Sequence, residues 1–207
     1  MDKDFIMIPM FPVPLYTAFD LEILDEDKNY IFSTDYHLAN SQNGFISKNR
    51  QLLNDQRLSN LRELVDEHVD KFVKEVFNPK EDVEFYMTSS WAMKHRHRDH
   101  ANSHYHVNSI VSGIVYLNVD NESGDLIFVN RNSTTHNPQL NIPSDNPTIY
   151  TNTREYVRPK NNQIVIFPSH ISHAVMYNES SIERYCVAFN YFVRGRLGTD
   201  ESDLFIL

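Results

Sequence analysis

Histidines are concentrated in two short parts of this chain, and neutral imidazoles are common ligands of divalent metals. Seven of the ten histidines lie there, at positions 95, 97, 100, 104 and 106 and at positions 170 and 173. His104 and His106 stand at alternate positions, so an extended chain places both rings on one face. His173 follows a separate predicted strand. In a β-barrel these three imidazoles can converge, which predicts a metal site.

The third protein ligand of this predicted site is open to two interpretations. Three ligands on one face leave positions for a co-substrate and dioxygen, which suits a non-haem iron. The usual iron site includes a carboxylate, so His97 and Asp99, at the His-x-Asp spacing, form an alternative proximal pair. We favour His104 and His106, because Asp99 lies in a very polar run well before the next strand. A surface tract that binds metal adventitiously would explain the first cluster but not the second.

The segment 183–190, ERYCVAFN, carries a separate piece of chemistry. One face of this predicted strand holds Arg184, Cys186, Ala188 and Asn190, and the apolar side chains between them point to the other face. A guanidinium at one end, an amide at the other and small residues between them favour a pocket for a small dicarboxylate, because arginine offers a planar fork that matches a carboxylate. The alternative is a surface arginine paired with an acidic neighbour.

The elements that must position these residues follow from the apolar periodicity. Apolar residues recur at three- and four-residue spacing over Ser59–Phe77 and predict a helix, which Asn78-Pro79 ends. His68 lies on the apolar stripe and is interpreted as a core or boundary histidine. From Asp82 onward the pattern changes to short β-type runs separated by turn residues. The predicted strands are Val83–Thr88, Ser109–Asn118, Asp125–Val129, Thr148–Thr151, Gln163–Phe167 and Glu183–Val193.

Short strands joined by such turns predict a mainly β sandwich or barrel of the α+β class, with helical support at its N-terminal side. Residues 5–16 contain three prolines and predict an edge strand or an extended arm. Residues 40–53 predict a loop, and the polar stretch 130–147 predicts a lid or binding loop. We expect one domain over 1–207, with arm and helical support over 1–80, a β core over 81–195 and a tail over 196–207.

Composition excludes some partners and favours a compartment. The net charge of −9 makes broad binding to nucleic acid unfavourable, because that binding needs Lys and Arg. No apolar run approaches the roughly 20 residues that span a bilayer, and the first residues lack the features of a signal peptide. Cys186 is the only cysteine, which excludes an internal disulfide and a thiolate metal cluster. We therefore expect a cytoplasmic protein. The oligomeric state is not readable.

Several motifs along most of the chain are similar to those of one family. They are MFPVPLY at 10–16, NGFIS at 43–47, SW at 90–91, HYHVNSIVSGIVYLN at 104–118, SGDLIF at 123–128, FPS at 167–169 with His173, and ER at 183–184 leading to FN at 189–190. By these motifs the chain resembles a family of 2-oxoglutarate–Fe(II) oxygenases, common in bacteria and their phages, which carry prolyl-hydroxylase-like domains. The last two motifs are the most specific.

The resemblance implies a double-stranded β-helix, or jelly roll, that acts as a 2-oxoglutarate-dependent dioxygenase with Fe(II) and O2. It implies iron held by His104, His106 and His173, and the distal carboxylate of 2-oxoglutarate bound to Arg184. His106 stands where better-known oxygenases have an aspartate. If the chain is phage-encoded, its compartment would be the host cytoplasm.

Further co-substrate contacts and two other function classes stay open. Candidate polar contacts to 2-oxoglutarate are Asn108, Tyr116 and Asn190. A cupin-like dioxygenase would use the three histidines without 2-oxoglutarate and without Arg184, although the glutamate of the first cupin motif is missing. A non-catalytic metal-binding β-barrel module would bind metal only substoichiometrically. A zinc hydrolase is disfavoured by the lack of an HExxH motif. The substrate, a small molecule or a peptide, is not readable.

Overall fold

The computed structural model of this protein describes residues 6–9, 12–39, 43–130, 145–146 and 148–207. In these ranges the regular structure consists of two α-helices, three short 3-10 helices and twelve strands. The α-helices are α1 (Asp25–Ser33) and α2 (Ser59–Val76). The strands are β1 (Tyr16–Ala18), β2 (Tyr36–Leu38), β3 (Phe45–Ser47), β4 (Val83–His95), β5 (Ala101–His104), β6 (Val111–Asn118), β7 (Leu126–Val129), β8 (Arg154–Val157), β9 (Ile164–Pro168), β10 (Ser172–Val175), β11 (Arg184–Leu197) and β12 (Leu204–Ile206). In the described ranges no helix has the length and apolar character needed to cross a membrane.

The strands pair into two antiparallel sheets that enclose a shared core. The larger sheet has the order β1-β9-β6-β11-β4-β3-β2, with β12 added to β11, and the smaller sheet has the order β5-β10-β7-β8. Ile114 and Phe167 of the larger sheet belong to the same apolar cluster as Leu126 and Val175 of the smaller one. This mainly β jelly roll is the fold class that the sequence predicted.

Helix α2 covers the outer face of the larger sheet. Its apolar stripe is buried in one cluster with Val187 and Phe189 of β11. Each large apolar side chain buried in this way contributes roughly 1.5–3 kcal/mol, so the stripe fixes the helix on the sheet. The predicted helix is confirmed to within one residue. His68 is buried on this face and its Nδ1 lies 2.6 Å from the Tyr16 hydroxyl, which confirms a boundary histidine.

The predicted strand Thr148–Thr151 is wrong. These residues form a turn in which the Thr151 amide donates to the Thr148 carbonyl at 3.0 Å, and the Thr151 hydroxyl accepts from the Thr148 amide at 2.9 Å. Threonine hydroxyls that capture nearby backbone groups compete with a strand ladder. The strand in this region is β8, which begins at Arg154.

The predicted loop over 40–53 is also wrong in part, because β3 lies inside it and pairs with both β2 and β4. Helix α1 and the strands β2, β5, β10 and β12 were not predicted. Each is short and owes its pairing or packing to distant residues, so its own apolar pattern is weak.

The structure differs from the prediction in the N-terminal arm and in the C-terminal tail. Residues 6–9 and 12–15 have no regular structure, and the edge strand begins only at Tyr16, where β1 pairs with β9. Strand β11 continues to Leu197, into the predicted tail, where it pairs with β12. Most of the predicted lid over 130–147 lies outside the described residues, and the division into one domain stays a prediction.

Candidate metal centre and co-substrate pocket

Three imidazoles meet between the two sheets. Strand β5 ends at His104, which lies opposite His173 of β10 in the antiparallel register. His106 follows two residues later, outside any strand. One ring nitrogen from each of the three lies within 4.8 Å of the others, and no second group of three metal-ligating side chains comes this close in the described residues. The sequence predicted that the three imidazoles converge. It placed His104 just before β6 and His173 just after β9, whereas the structure places these two residues on β5 and β10.

The backbone fixes the tautomer of two of these rings. The Nδ1 of His104 lies 2.7 Å from the Asn102 carbonyl oxygen, and the Nδ1 of His173 lies 3.0 Å from the Ile171 carbonyl oxygen. A carbonyl oxygen can only accept, so each Nδ1 must carry the proton. The lone pair of each ring is then on Nε2, the arrangement that neighbours impose on metal-binding histidines in general.

His106 is held in the same tautomer by side chains. Its Nδ1 lies 2.7 Å from the Asn190 Oδ1 and 2.8 Å from the Ser112 hydroxyl. The Ser112 hydroxyl also donates to the Asn190 Oδ1 at 2.7 Å, so the amide oxygen accepts from both neighbours. All three imidazoles therefore offer Nε2 as a metal ligand.

The imidazoles of His106 and His173 stay neutral well below pH 7. Burial, together with the smaller effect of the nearby His104, lowers the pKa of His106 to about 4 and that of His173 to about 3. A metal competes with protons for these nitrogens, so a low pKa keeps the lone pairs available.

The same pKa shifts predict how the metal-free protein responds to acid. The pKa of both histidines is lower in the folded state than the unfolded value near 6.5, so the unfolded state binds more protons. Their stabilising contribution is complete above pH 6.5 and is lost as the pH falls from 6.5 towards 4. We expect the free energy of unfolding to fall by about 1.4 kcal/mol per pH unit for each such histidine. Urea unfolding between pH 7.5 and pH 5 would measure it. His173→Gln should give a shallower slope, and an unchanged slope would contradict the assignment.

The histidine cluster and Arg184 line the same cavity. Its volume is ≈ 40 Å³. The lining residues are Trp91, Met93, His95, Ala101, His104, His106, Ile114, His173, Val175, Arg184, Cys186 and Ala188. Of the predicted face of β11, Arg184, Cys186 and Ala188 line this cavity, whereas the intervening side chains pack towards α2.

Arg184 is a buried cation that forms no ion pair with the residues that the structure describes. It is 1% exposed, and its Nε, Nη1 and Nη2 atoms make no hydrogen bond. Its guanidinium carbon lies 5.2 Å from the centre of the Tyr116 ring, whose buried hydroxyl also lacks a partner. Burial raises the pKa of Tyr116 to about 12, so the hydroxyl keeps its proton and can donate it. A buried unpaired charge is costly, which indicates a site for an anion.

Other predicted residues have different surroundings. Asn190 contacts His106 and so supports the metal cluster from outside. Asn108 is exposed, and its φ of 55° lies in the left-handed region that asparagine tolerates. His97 and Asp99 are outside the cluster: the Asp99 carboxylate accepts from the Arg96 amide at 2.8 Å, and the His97 Nδ1 lies 3.3 Å from the Ser180 carbonyl oxygen. Whether Asn108 contacts the co-substrate stays a prediction.

Asn190→Ala should weaken metal binding without removing a ligand. The substitution leaves the Nδ1 of His106 with only the Ser112 hydroxyl, and losses of such supporting groups weaken metal affinity 10- to 100-fold. Competition against a chromophoric chelator would measure the affinity for Co(II). Asn118→Ala is the matched control, because Asn118 donates to the Glu183 carbonyl just before β11, away from the histidines. Equal affinities in the two variants would contradict the role of Asn190.

A known protein family matches the part of the chain that contains the histidine cluster and Arg184. Residues 89–190 match the family model described as "Putative 2OG-Fe(II) oxygenase". The match contains the three clustered imidazoles, Arg184 and Asn190. Residues 89–190 belong to the 2-oxoglutarate–Fe(II) oxygenase family. No curated protein matches this sequence.

Solved structures share the fold of this chain at low sequence identity. A 2OG-Fe(II) oxygenase family oxidoreductase from Burkholderia pseudomallei has a TM-score of 0.60 at 11% identity, over 86% of this chain and 84% of that one. HygX from Streptomyces hygroscopicus, solved with nickel and 2-oxoglutarate, has a TM-score of 0.58 at 12% identity, over 86% and 82%. A prolyl-4-hydroxylase from Pseudomonas putida has a TM-score of 0.56 at 14% identity, over 88% and 94%. These similarities establish the jelly-roll fold.

Proposed function

We propose that this chain is an Fe(II)- and 2-oxoglutarate-dependent hydroxylase, with iron on His104, His106 and His173 and the co-substrate on Arg184. One observation carries the proposal: three imidazoles that offer Nε2 line one cavity with a buried guanidinium that makes no hydrogen bond to the described residues. A metal site next to an anion site suits a ligand that chelates through one end and carries a charge at the other.

The three histidines fit a divalent iron. They are nitrogen donors with fixed tautomers. His104 and His173 approach from paired strands of the smaller sheet and His106 from the segment that follows β5, which leaves the remaining coordination positions to the cavity. No carboxylate joins the group among the residues that the structure describes. When bound, the iron supplies the coupled oxidation of 2-oxoglutarate to succinate and of the substrate by dioxygen.

Arg184 fits the distal carboxylate of 2-oxoglutarate. Its planar fork matches a carboxylate, and its burial leaves little water to compete for the nitrogens. The Tyr116 hydroxyl, which keeps its proton, is a second donor beside the guanidinium. The two residues would orient the co-substrate so that its 2-oxo acid end points at the histidines.

The rest of the pocket excludes water from the reacting groups. Met93, Ile114 and Val175 give the cavity apolar walls, and Trp91 packs against His106 with 5.7 Å between ring centres. A substrate, a small molecule or a peptide, would enter through the mouth. The net charge of −9 disfavours nucleic acid as that substrate, and the single buried cysteine fits a reducing cytoplasm.

Anaerobic titration tests the proposal directly. Adding Fe(II) and 2-oxoglutarate to wild-type protein should produce the weak visible charge-transfer band of the chelate, and admitting air should yield succinate. A protein that binds Fe(II) but gives neither band nor succinate would favour the cupin-like alternative. A protein with only substoichiometric metal, unchanged by loss of His173, would favour a non-catalytic module.

A further inference from the structure

Unsatisfied polar atoms are concentrated around Arg184. In the part of the chain that the structure describes, eight buried side-chain polar atoms lack a hydrogen-bond partner, and six of them belong to His95, Tyr116 and Arg184. Buried polar atoms are nearly always paired, so such a concentration indicates that a polar ligand binds here. Arg184 and Tyr116 already have a proposed role as donors to the distal carboxylate of 2-oxoglutarate. His95 does not yet have a role.

His95 lies beside Arg184 in the same cavity. The two residues are directly opposite each other in the register of β4 and β11, where side chains on one face come within about 5 Å at Cβ. His95 is 2% exposed, and neither of its ring nitrogens has a partner. The sequence predicted that the strand before this residue ends at Thr88. Its strand in fact ends at His95.

The protein backbone holds the His95 ring in place. A Cβ added to Gly44 would lie 2.2 Å from the His95 Cδ2, so the main chain of Gly44 packs directly against the ring. The Asn178 side chain donates to the His95 carbonyl at 3.1 Å and fixes the backbone. An imidazole confined in this way cannot turn away to find another partner.

We propose that His95 is a further co-substrate-binding residue, which donates a ring N–H to the distal carboxylate that Arg184 binds. This inference rests on the proposed function. A neutral imidazole carries one N–H and adds no positive charge beside the guanidinium. Burial and the charge of Arg184 lower the pKa of His95 to about 3, which agrees with a neutral ring. His95 would thereby select acids with a second carboxylate over those without one.

Two ligands separate recognition of the distal carboxylate from binding in general. The 2-oxo acid end is common to 2-oxoglutarate and 2-oxopentanoate, but only the first has the distal carboxylate. We expect His95→Leu to weaken the binding of 2-oxoglutarate to Ni(II)-loaded protein by about 10- to 100-fold, the range for a hydrogen bond to a charged group. The binding of 2-oxopentanoate should be unchanged. Calorimetry measures both, and the Ni(II) content checks the metal site.

Matched variants complete the experiment. His95→Gln keeps an N–H donor and should lose less affinity than His95→Leu, whereas His68→Leu removes a buried histidine outside the cavity and should lose none. Equal losses for both acids, or no loss for 2-oxoglutarate, would overturn the role of His95. Metal-loaded wild type that fails to bind 2-oxoglutarate would overturn the proposed function itself.

A measurement on wild-type protein does not depend on variant folding. In Zn(II)-loaded protein labelled with ¹⁵N histidine, 2-oxoglutarate should shift the ring resonances of His95, and 2-oxopentanoate should not. Unchanged resonances at saturation with 2-oxoglutarate would overturn the proposal.

Discussion

His173→Ala should lose nearly all bound iron while the protein stays folded. The residue supplies the only proposed ligand from β10, and its ring is buried between Phe167 and the other two imidazoles. Loss of a ligand costs more than the 10- to 100-fold that loss of a supporting group costs. Metal analysis after reconstitution with Fe(II) under argon measures the effect, and succinate formation should fall to background.

His170→Ala is the matched control for this variant. It removes an exposed imidazole three residues away that lies outside the cluster, so its iron content should equal that of wild type. Asp99→Ala and His97→Ala test the alternative proximal pair and should also retain iron. Loss of iron in Asp99→Ala, with retention in His106→Ala, would show that the carboxylate is the ligand.

Arg184→Met should separate stability from function. Methionine fills a similar volume without a charge, and replacement of buried charges by apolar residues is often neutral or stabilising. We therefore expect the metal-free variant to be at least as stable as wild type. Its affinity for 2-oxoglutarate should fall by about two to three orders of magnitude, because loss of one partner of a buried charge pair costs roughly 2–5 kcal/mol. Iron content should not change.

Arg194→Met is the control on the same strand. Arg194 is half-exposed and pairs with Glu84 at 2.7 Å, so its loss should leave the affinity for 2-oxoglutarate unaltered. Urea unfolding and calorimetry give the two quantities for both variants. A metal-free Arg184→Met protein that is clearly less stable than wild type would show that the guanidinium has a partner within the protein.

The sequence predicted those helices and strands whose own apolar pattern is strong enough to define them. Helix α2 was predicted because its apolar stripe repeats at helical spacing over five turns, and β11 because its side chains alternate on two buried faces. Thr148–Thr151 failed because local hydroxyl bonds outweighed strand propensity. Strands β5 and β10 were missed since each is four residues long and is stabilised chiefly by its partner.

For the site, too, some features could be predicted from the sequence and others are visible only in the tertiary structure. Spacing alone determined which residues could act together: His104 with His106, and Arg184 on one face with Cys186, Ala188 and Asn190, because side-chain direction in an extended chain follows from the backbone. Only the tertiary structure decided that Asn190 supports His106 and that His95 lies opposite Arg184. Those relations depend on the register between strands far apart in sequence, and register is set by the packing of the whole sheet rather than by any one segment.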